Sequence, residues 1–145
     1  MPDDLYNLDR FVNAQEQIFE SVLTELRNGQ KRSHWMWFIF PQIDGLGRSP
    51  TSKYFSIKSR EEAQEYLNHP ILGTRLLKCA ELLLTIDAKS AREIFGSPDD
   101  KKLKASMTLF ASIADSKSVF ERVLNRYFDG QWDHNTMDLL RNPSR

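Results

Sequence analysis

"PILGTRLLKCAELLLTID", Pro70 to Asp87, carries apolar side chains at Leu72, Leu76, Cys79, Leu83 and Ile86. Steps of three and four residues put all five on one face of a helix, whereas a half-buried strand would alternate every second residue. Pro70 suits a first helical turn, where its missing N–H costs nothing. A second stripe follows in "SPDDKKLKASMTLFASIAD", with Leu103, Met107, Phe110 and Ala114 on one face and Pro98, Asp99 and Asp100 at the start. Acidic residues there favour the positive end of the helix dipole. Two long helices with such stripes predict an all-α core.

Outward from this pair, "LDRFVNAQEQIFESVLTELRNG" places Leu8, Phe11, Gln15, Ile18, Phe19, Val22 and Leu26 on one stripe. It reads as a single helix closed by Gly29 in a left-handed conformation. "SREEAQEYLNHP" has Ser59 as its cap, and Ser90 with Glu93 has capping-box spacing before Ile94, Phe95 and the stop at Gly96. "SVFERVLNRYFDG" and "NTMDLLRN" read as two last short helices. In "RSHWMWFIFPQ", Arg32 to Gln42, Ser33 is the expected cap of a short helix from His34 that Pro41 ends. "QIDGLGRSPTS", Gln42 to Ser52, reads as one long loop, and "KYFSI" after it as a short extended piece. The expectation is one compact domain of six or seven helices spanning residues 1–145, with that loop following the tryptophan-rich helix.

Composition bounds the function. The 145 residues are 40% hydrophobic, enough for a core, and 20 Lys+Arg balance 20 Asp+Glu. A chain without basic excess is not expected to bind nucleic acid in bulk. Cys79 is alone, so no intrachain disulfide can form and a reducing compartment fits. No apolar run reaches membrane-spanning length, and "MPDDLYNLDR" lacks a signal-peptide core; the expected location is cytoplasmic. His34, His69 and His134 are far apart and have no Cys partners at ligand spacing, so no metal is expected. Neither GxxxxGK[ST] nor GxGxxG occurs, and no cofactor is implied.

The chemistry-bearing residues cluster around the tryptophans. Lys31, Arg32 and Ser33 at a helix start combine positive charge, a hydroxyl and backbone N–H groups, as an anion site would. The plainer reading is a solvated basic turn. Trp35, Met36, Phe38 and Ile39 read as core. Trp37 and His34 are open between core and site: an indole face suits a flat ligand, and an imidazole can move a proton. "GLGRS", with Gly45, Gly47 and Ser49, offers backbone donors, and Gln42, Ser52 and Tyr54 lie nearby in sequence. Asp99 and Asp100 read as helix-start residues or, alternatively, as a general base and partner for Lys31 and Arg32. The candidate set is therefore His34, Asp99 and Asp100 for catalysis, with Lys31, Arg32, Ser33, Trp37, Gln42, Gly45, Gly47, Ser49, Ser52 and Tyr54 for binding. Basic, aromatic and glycine-rich elements together suit the binding of a phosphorylated or nucleotide-like small molecule, with hydrolysis as the chemistry His34 and the aspartates would add. The alternative is a protein-interaction module that docks through an exposed aromatic patch around Trp35 and Trp37.

"GQKRSHWMWFIFPQIDGLGRS", "YFSIKSREEAQEYLNHPILGTRL" and "IFGSPDDKKLKASMTLFA" resemble domain-of-unknown-function family 1810 from about Leu8 to Leu140. The resemblance implies a small, mostly helical, bacterial-type protein, a group sometimes labelled calpastatin-like, and it carries no catalytic assignment. One departure is Ala105-Ser106 before "MTLFA", where two small hydroxyl residues are usual. "KASMTLFA" is also loosely similar to the late helix of the NADAR-type N-glycosidases, which would imply an ADP-ribose-related substrate. Their aromatic-rich early motif and terminal Asp/Trp-Gly motif are not matched.

Overall fold

A computed structural model describes residues 4–141. Asn142, the last residue of the final expected helix, lies outside them. Ten helices occur among the described residues, against the six or seven expected, and the class is all-α.

The first expected helix is two: α1 (Asp9–Gln15) and α2 (Phe19–Arg27). No Pro or Gly marks the break. It is set by packing, since α1 lies on the tryptophan-block helix while α2 lies on the long helix further along. At the break, buried Gln15 donates from Nε2 to the Phe38 carbonyl at 2.7 Å and to the Tyr66 hydroxyl at 3.1 Å. Gly29 then takes φ +68°, the expected left-handed stop.

The tryptophan block yields only α3 (Met36–Ile39), ending just before Pro41. Ser33 does not cap it; the N-cap is Trp35, which makes no side-chain capping bond. The expected long loop is shorter, because α4 (Pro50–Tyr54) occupies its end, with Ser49 Oγ accepting from Ser52 N at 3.0 Å. Lys53 and Tyr54 are therefore helical rather than extended. Ile57 alone keeps strand character, in an isolated parallel bridge to Ile43: Asp44 N donates to Ile57 O and Ile57 N to Gln42 O, both at 2.8 Å.

α5 (Arg60–Asn68) is capped by Ser59 as expected. α6 (Leu72–Thr85) begins two residues after Pro70, and its start is capped from outside by the His69 ring, whose Nδ1 accepts from Ile71 N and Leu72 N. Gly73 lets the two helices meet closely, because a Cβ there would lie 2.0 Å from the Leu67 carbonyl oxygen. α7 (Ala91–Phe95) carries the Ser90–Glu93 capping box and stops at Gly96. α8 (Asp99–Ile113), α9 (Val119–Phe128) and α10 (His134–Arg141) complete the chain.

α8 is the central helix. It packs against α5, α7, α9 and α10, so its second half is buried on nearly every side. Leu76, Cys79, Leu83, Leu103, Met107 and Phe110 are all buried, as their shared periodicity predicts. Aromatic rings run through the core from α1 to α9: Phe11 to Tyr66 at 5.0 Å, Tyr66 to Phe110 at 5.5 Å, Phe110 to Phe120 at 5.6 Å. The Cys79 thiol is pushed up to about 12 by burial, which leaves it a neutral, inert core group.

One buried ion pair ties the chain start to the segment after α4. Arg10 meets Glu62 at 2.6 Å and also donates to the carbonyls of Tyr6, Asn7, Tyr54 and Ser56. Among the described residues, no helix is long and apolar enough to cross a membrane.

Candidate functional site

The tryptophan block is organised by a residue outside it. Glu25 is buried on α2 and its carboxylate accepts four hydrogen bonds from the turn that follows. Oε1 takes Arg32 N at 2.7 Å, Ser33 N at 3.0 Å and the Trp35 indole at 2.9 Å, while Oε2 takes Ser33 Oγ at 2.7 Å. Burial pushes this carboxyl up, but those bonds, led by the Ser33 hydroxyl and the Arg32 N–H, outweigh it and hold it below its ordinary value. The donors that the sequence offers to an external anion at Arg32 and Ser33 are thus taken by an internal one. The Arg32 side chain turns outward to Gln30 at 3.3 Å.

Lys31 is drawn the other way. Its backbone N–H donates to Ile94 O at 2.8 Å, and its ammonium lies 2.9 Å from Asp99 and 5.1 Å from the centre of the Trp35 ring. Trp35 sits at 1% exposure between Phe40 and Phe95, so it is core and not part of any docking patch. Met36 and Ile39 are core as expected, whereas Phe38 is only half-buried, against Phe55 at 5.3 Å.

Trp37 differs. It is half-buried and forms a wall of a cleft of about 270 Å³ between α3 and the α7–α8 junction. Lys31, His34, Ser97, Asp99 and Lys102 line the same cleft. Asp99 holds two ammonium groups, Lys31 at 2.9 Å and Lys102 at 3.5 Å, and Lys102 lies 5.4 Å over the Trp37 ring. His34 is exposed at the edge.

The remaining candidates divide. Gln42, Gly47 and Ser52 flank Trp37 in a niche of about 10 Å³, enough for a water molecule and no more. Gly45 packs toward Leu139 of α10, where a Cβ would lie 3.0 Å from a leucine methyl. Ser49 is spent as the α4 cap. Asp100 lines no part of the cleft; its carboxylate accepts from the neighbouring Lys101 N–H. Tyr54 is exposed on a separate depression with Arg10, Lys53 and Lys58. The structure therefore brings Lys31, His34, Trp37 and Asp99 together, and leaves Arg32, Ser33, Gly45, Ser49, Tyr54 and Asp100 outside.

Sequence reasoning passed over Glu25 and Lys102. Both left a signal: Glu25 is a charge next to Leu26 on the apolar stripe of α2, and Lys102 stands three residues after Asp99, one turn along α8.

A conserved hypothetical protein from Mycobacterium tuberculosis, Rv1873, has a crystal structure that superposes with a TM-score of 0.93 at 49% identity, covering 95% of this chain and 99% of that one. Among curated proteins, none matches significantly. The family described as protein of unknown function DUF1810 matches residues 5–140. The resemblance read from the sequence agrees with that match, and the chain belongs to the DUF1810 family.

Proposed function

We propose that this is a cytoplasmic protein that binds a compact phosphorylated or nucleotide-like molecule in the Trp37 cleft. The observation that carries the reading is the Asp99-centred pair of lysines beside an accessible indole ring. Lys102 is the more open half of that arrangement: its ammonium is close enough to Asp99 to be held, yet partly exposed, so a ligand anion can share it. The Trp37 face then takes the flat or sugar portion, and His34 and the Ser97 hydroxyl offer polar contacts at the mouth. A volume of about 270 Å³ suits one ring and one anionic group. An ADP-ribose-related substrate, as the NADAR-type likeness would have it, would extend into solvent.

If the bound molecule is also hydrolysed, His34 is the group placed to move a proton. Asp99 is committed to two cations and would act by holding Lys31 and Lys102 in position. The interaction-module reading loses half of its patch, since Trp35 is inside the core.

A thermal-shift panel of sugar phosphates, nucleoside monophosphates and ADP-ribose tests the reading, because a ligand of the native state raises its apparent stability. The expected result is a concentration-dependent rise in Tm that disappears in His34→Ala and Trp37→Ala while both variants still unfold cooperatively. A rise that survives both substitutions would place the ligand elsewhere, and no rise with any compound class would end the proposal.

A further inference from the structure

A second cleft, roomier than the one at Trp37, lies outside the tryptophan block. Of about 500 Å³, it lies between α8 and the connection from α9 to α10, lined by Lys104, Gln131, Trp132, His134, Met137 and Arg141. That volume falls within the roughly 300–1,000 Å³ typical of small-ligand sites. We infer that this cleft is a binding site for a planar aromatic anion, with the Trp132 ring as platform and Lys104 and Arg141 as charge partners.

Three observations carry the inference. First, among the described residues the lining holds a lysine, an arginine and a histidine and no carboxylate. Two acids of the same segment are engaged within it: Asp133 caps α10 through Thr136 N at 2.9 Å and Thr136 Oγ1 at 2.6 Å, and Asp138 pairs with Arg141 at 3.1 Å. Arg141 is thus partly neutralised, but Lys104 has no ion-pair partner among the described residues. A half-buried lysine bordering a cleft without a counter-charge of its own favours an incoming anion.

Second, the apolar part of the lining is of the right kind. Trp132 and Met137 line the cleft and are half-buried against the core, which anchors them as its apolar wall. A ring stacked on an indole gains dispersion contact over its whole face, and a thioether adds polarisable contact at the edge.

Third, the wall is fixed before any ligand arrives. Asp129 and Gly130 both take positive φ, which turns the chain back after α9. Asp133 N then donates to Thr108 Oγ1 at 2.8 Å, and that same hydroxyl donates to the Lys104 carbonyl at 2.8 Å. Thr108 is fully buried. A single hydroxyl therefore bonds the turn of α8 that bears the cation to the residue next to the Trp132 platform. Such preorganisation lowers the ordering cost of binding.

The test follows the three tryptophan indole N–H signals by NMR, with that of Trp132 identified by its loss in Trp132→Phe. Adenosine 5′-monophosphate is the probe, adenosine the uncharged control and inorganic phosphate the ringless one. The expected result is a saturable shift of the Trp132 signal by the monophosphate, with either control about tenfold weaker or worse. Lys104→Met should weaken the monophosphate by about tenfold, and Arg141→Met, at an exposed position that does not endanger folding, by a smaller factor. An unmoved Trp132 signal would overturn the inference, as would affinity indifferent to both substitutions or equal affinity for adenosine. A shift confined to the Trp37 signal would also overturn it, while supporting the other cleft. The two clefts share no lining residue, so the two readings fail separately.

Discussion

Replacing Glu25 by glutamine keeps the size of the side chain, removes its charge and turns one acceptor oxygen into an amide donor. In the wild type one carboxylate accepts four hydrogen bonds, two of them at 2.7 Å. A bond to a charged acceptor contributes about 1.5–3 kcal/mol, against about 1 for a neutral one. Losing roughly 0.5–1 kcal/mol on each would sum to about 2–4 kcal/mol. Arg32 and Ser33 are exposed, so water can partly replace their share, and about 2–3 kcal/mol is expected for Glu25→Gln. Glu25→Ala should cost more, because the Trp35 indole N–H is buried and would have no acceptor, adding about 1–3 kcal/mol. Urea unfolding followed by tryptophan emission measures both. The folded carboxyl titrates below its ordinary value of 4.5, so protonation disfavours the folded state more than the unfolded one. The contribution is whole above the unfolded pKa and lost as pH falls through the folded one. The gap between wild type and Glu25→Gln should therefore hold at neutral pH and narrow only on acidification below the ordinary carboxyl value of 4.5. A Glu25→Gln protein within about 0.5 kcal/mol of wild type at neutral pH would refute the account of how this block is held.

Three further outcomes follow from the same geometry. Trp35→Ala should destabilise by about 3–5 kcal/mol, since it empties the space between Phe40 and Phe95, whereas Trp37→Ala should cost about 1 kcal/mol of cation–π and surface packing; equal losses in chemical denaturation would mean that both indoles are core. Arg10→Met should cost about 3–5 kcal/mol by leaving Glu62 as an unpaired buried charge, and a wild-type Tm would show that the pair is dispensable. Cys79, buried and with its thiol pushed up to about 12, should react with a thiol reagent at the rate of global unfolding, so rapid labelling of the native protein would contradict its position.

What could be read of the fold was what local periodicity decides. The stripes of α6 and α8 are uninterrupted and lie in long segments, so their helices and buried residues follow from spacing alone. The break between α1 and α2 could not be read, because its cause is distant in sequence: Gln15 reaches Phe38 and Tyr66. A polar residue on an apolar stripe was the only trace. α4 was readable and overlooked, as Ser49-Pro50 is a cap followed by a proline in the first turn. The His69 cap of α6 is a ring accepting two N–H groups, which propensity does not encode.

The candidate site shows a different limit. Lys31, Arg32 and Ser33 have the composition of an anion site, and the structure supplies the anions from the chain itself, Glu25 for the backbone and hydroxyl donors and Asp99 for the ammonium. Composition identifies donors; it does not say whether their acceptor is internal. A donor cluster whose acceptor lies a few residues upstream on the preceding helix is indistinguishable, in sequence, from one awaiting a ligand. The distinction is physical: a buried carboxylate needs several donors to offset its desolvation, so a lone acidic residue on the buried face of α2 should have been expected to claim the nearest ones. The converse applies at the other cleft. Lys104 lines the Trp132 cleft without a carboxylate for its ammonium among the described residues, and there the unmet charge belongs to the surface, open to a molecule from outside.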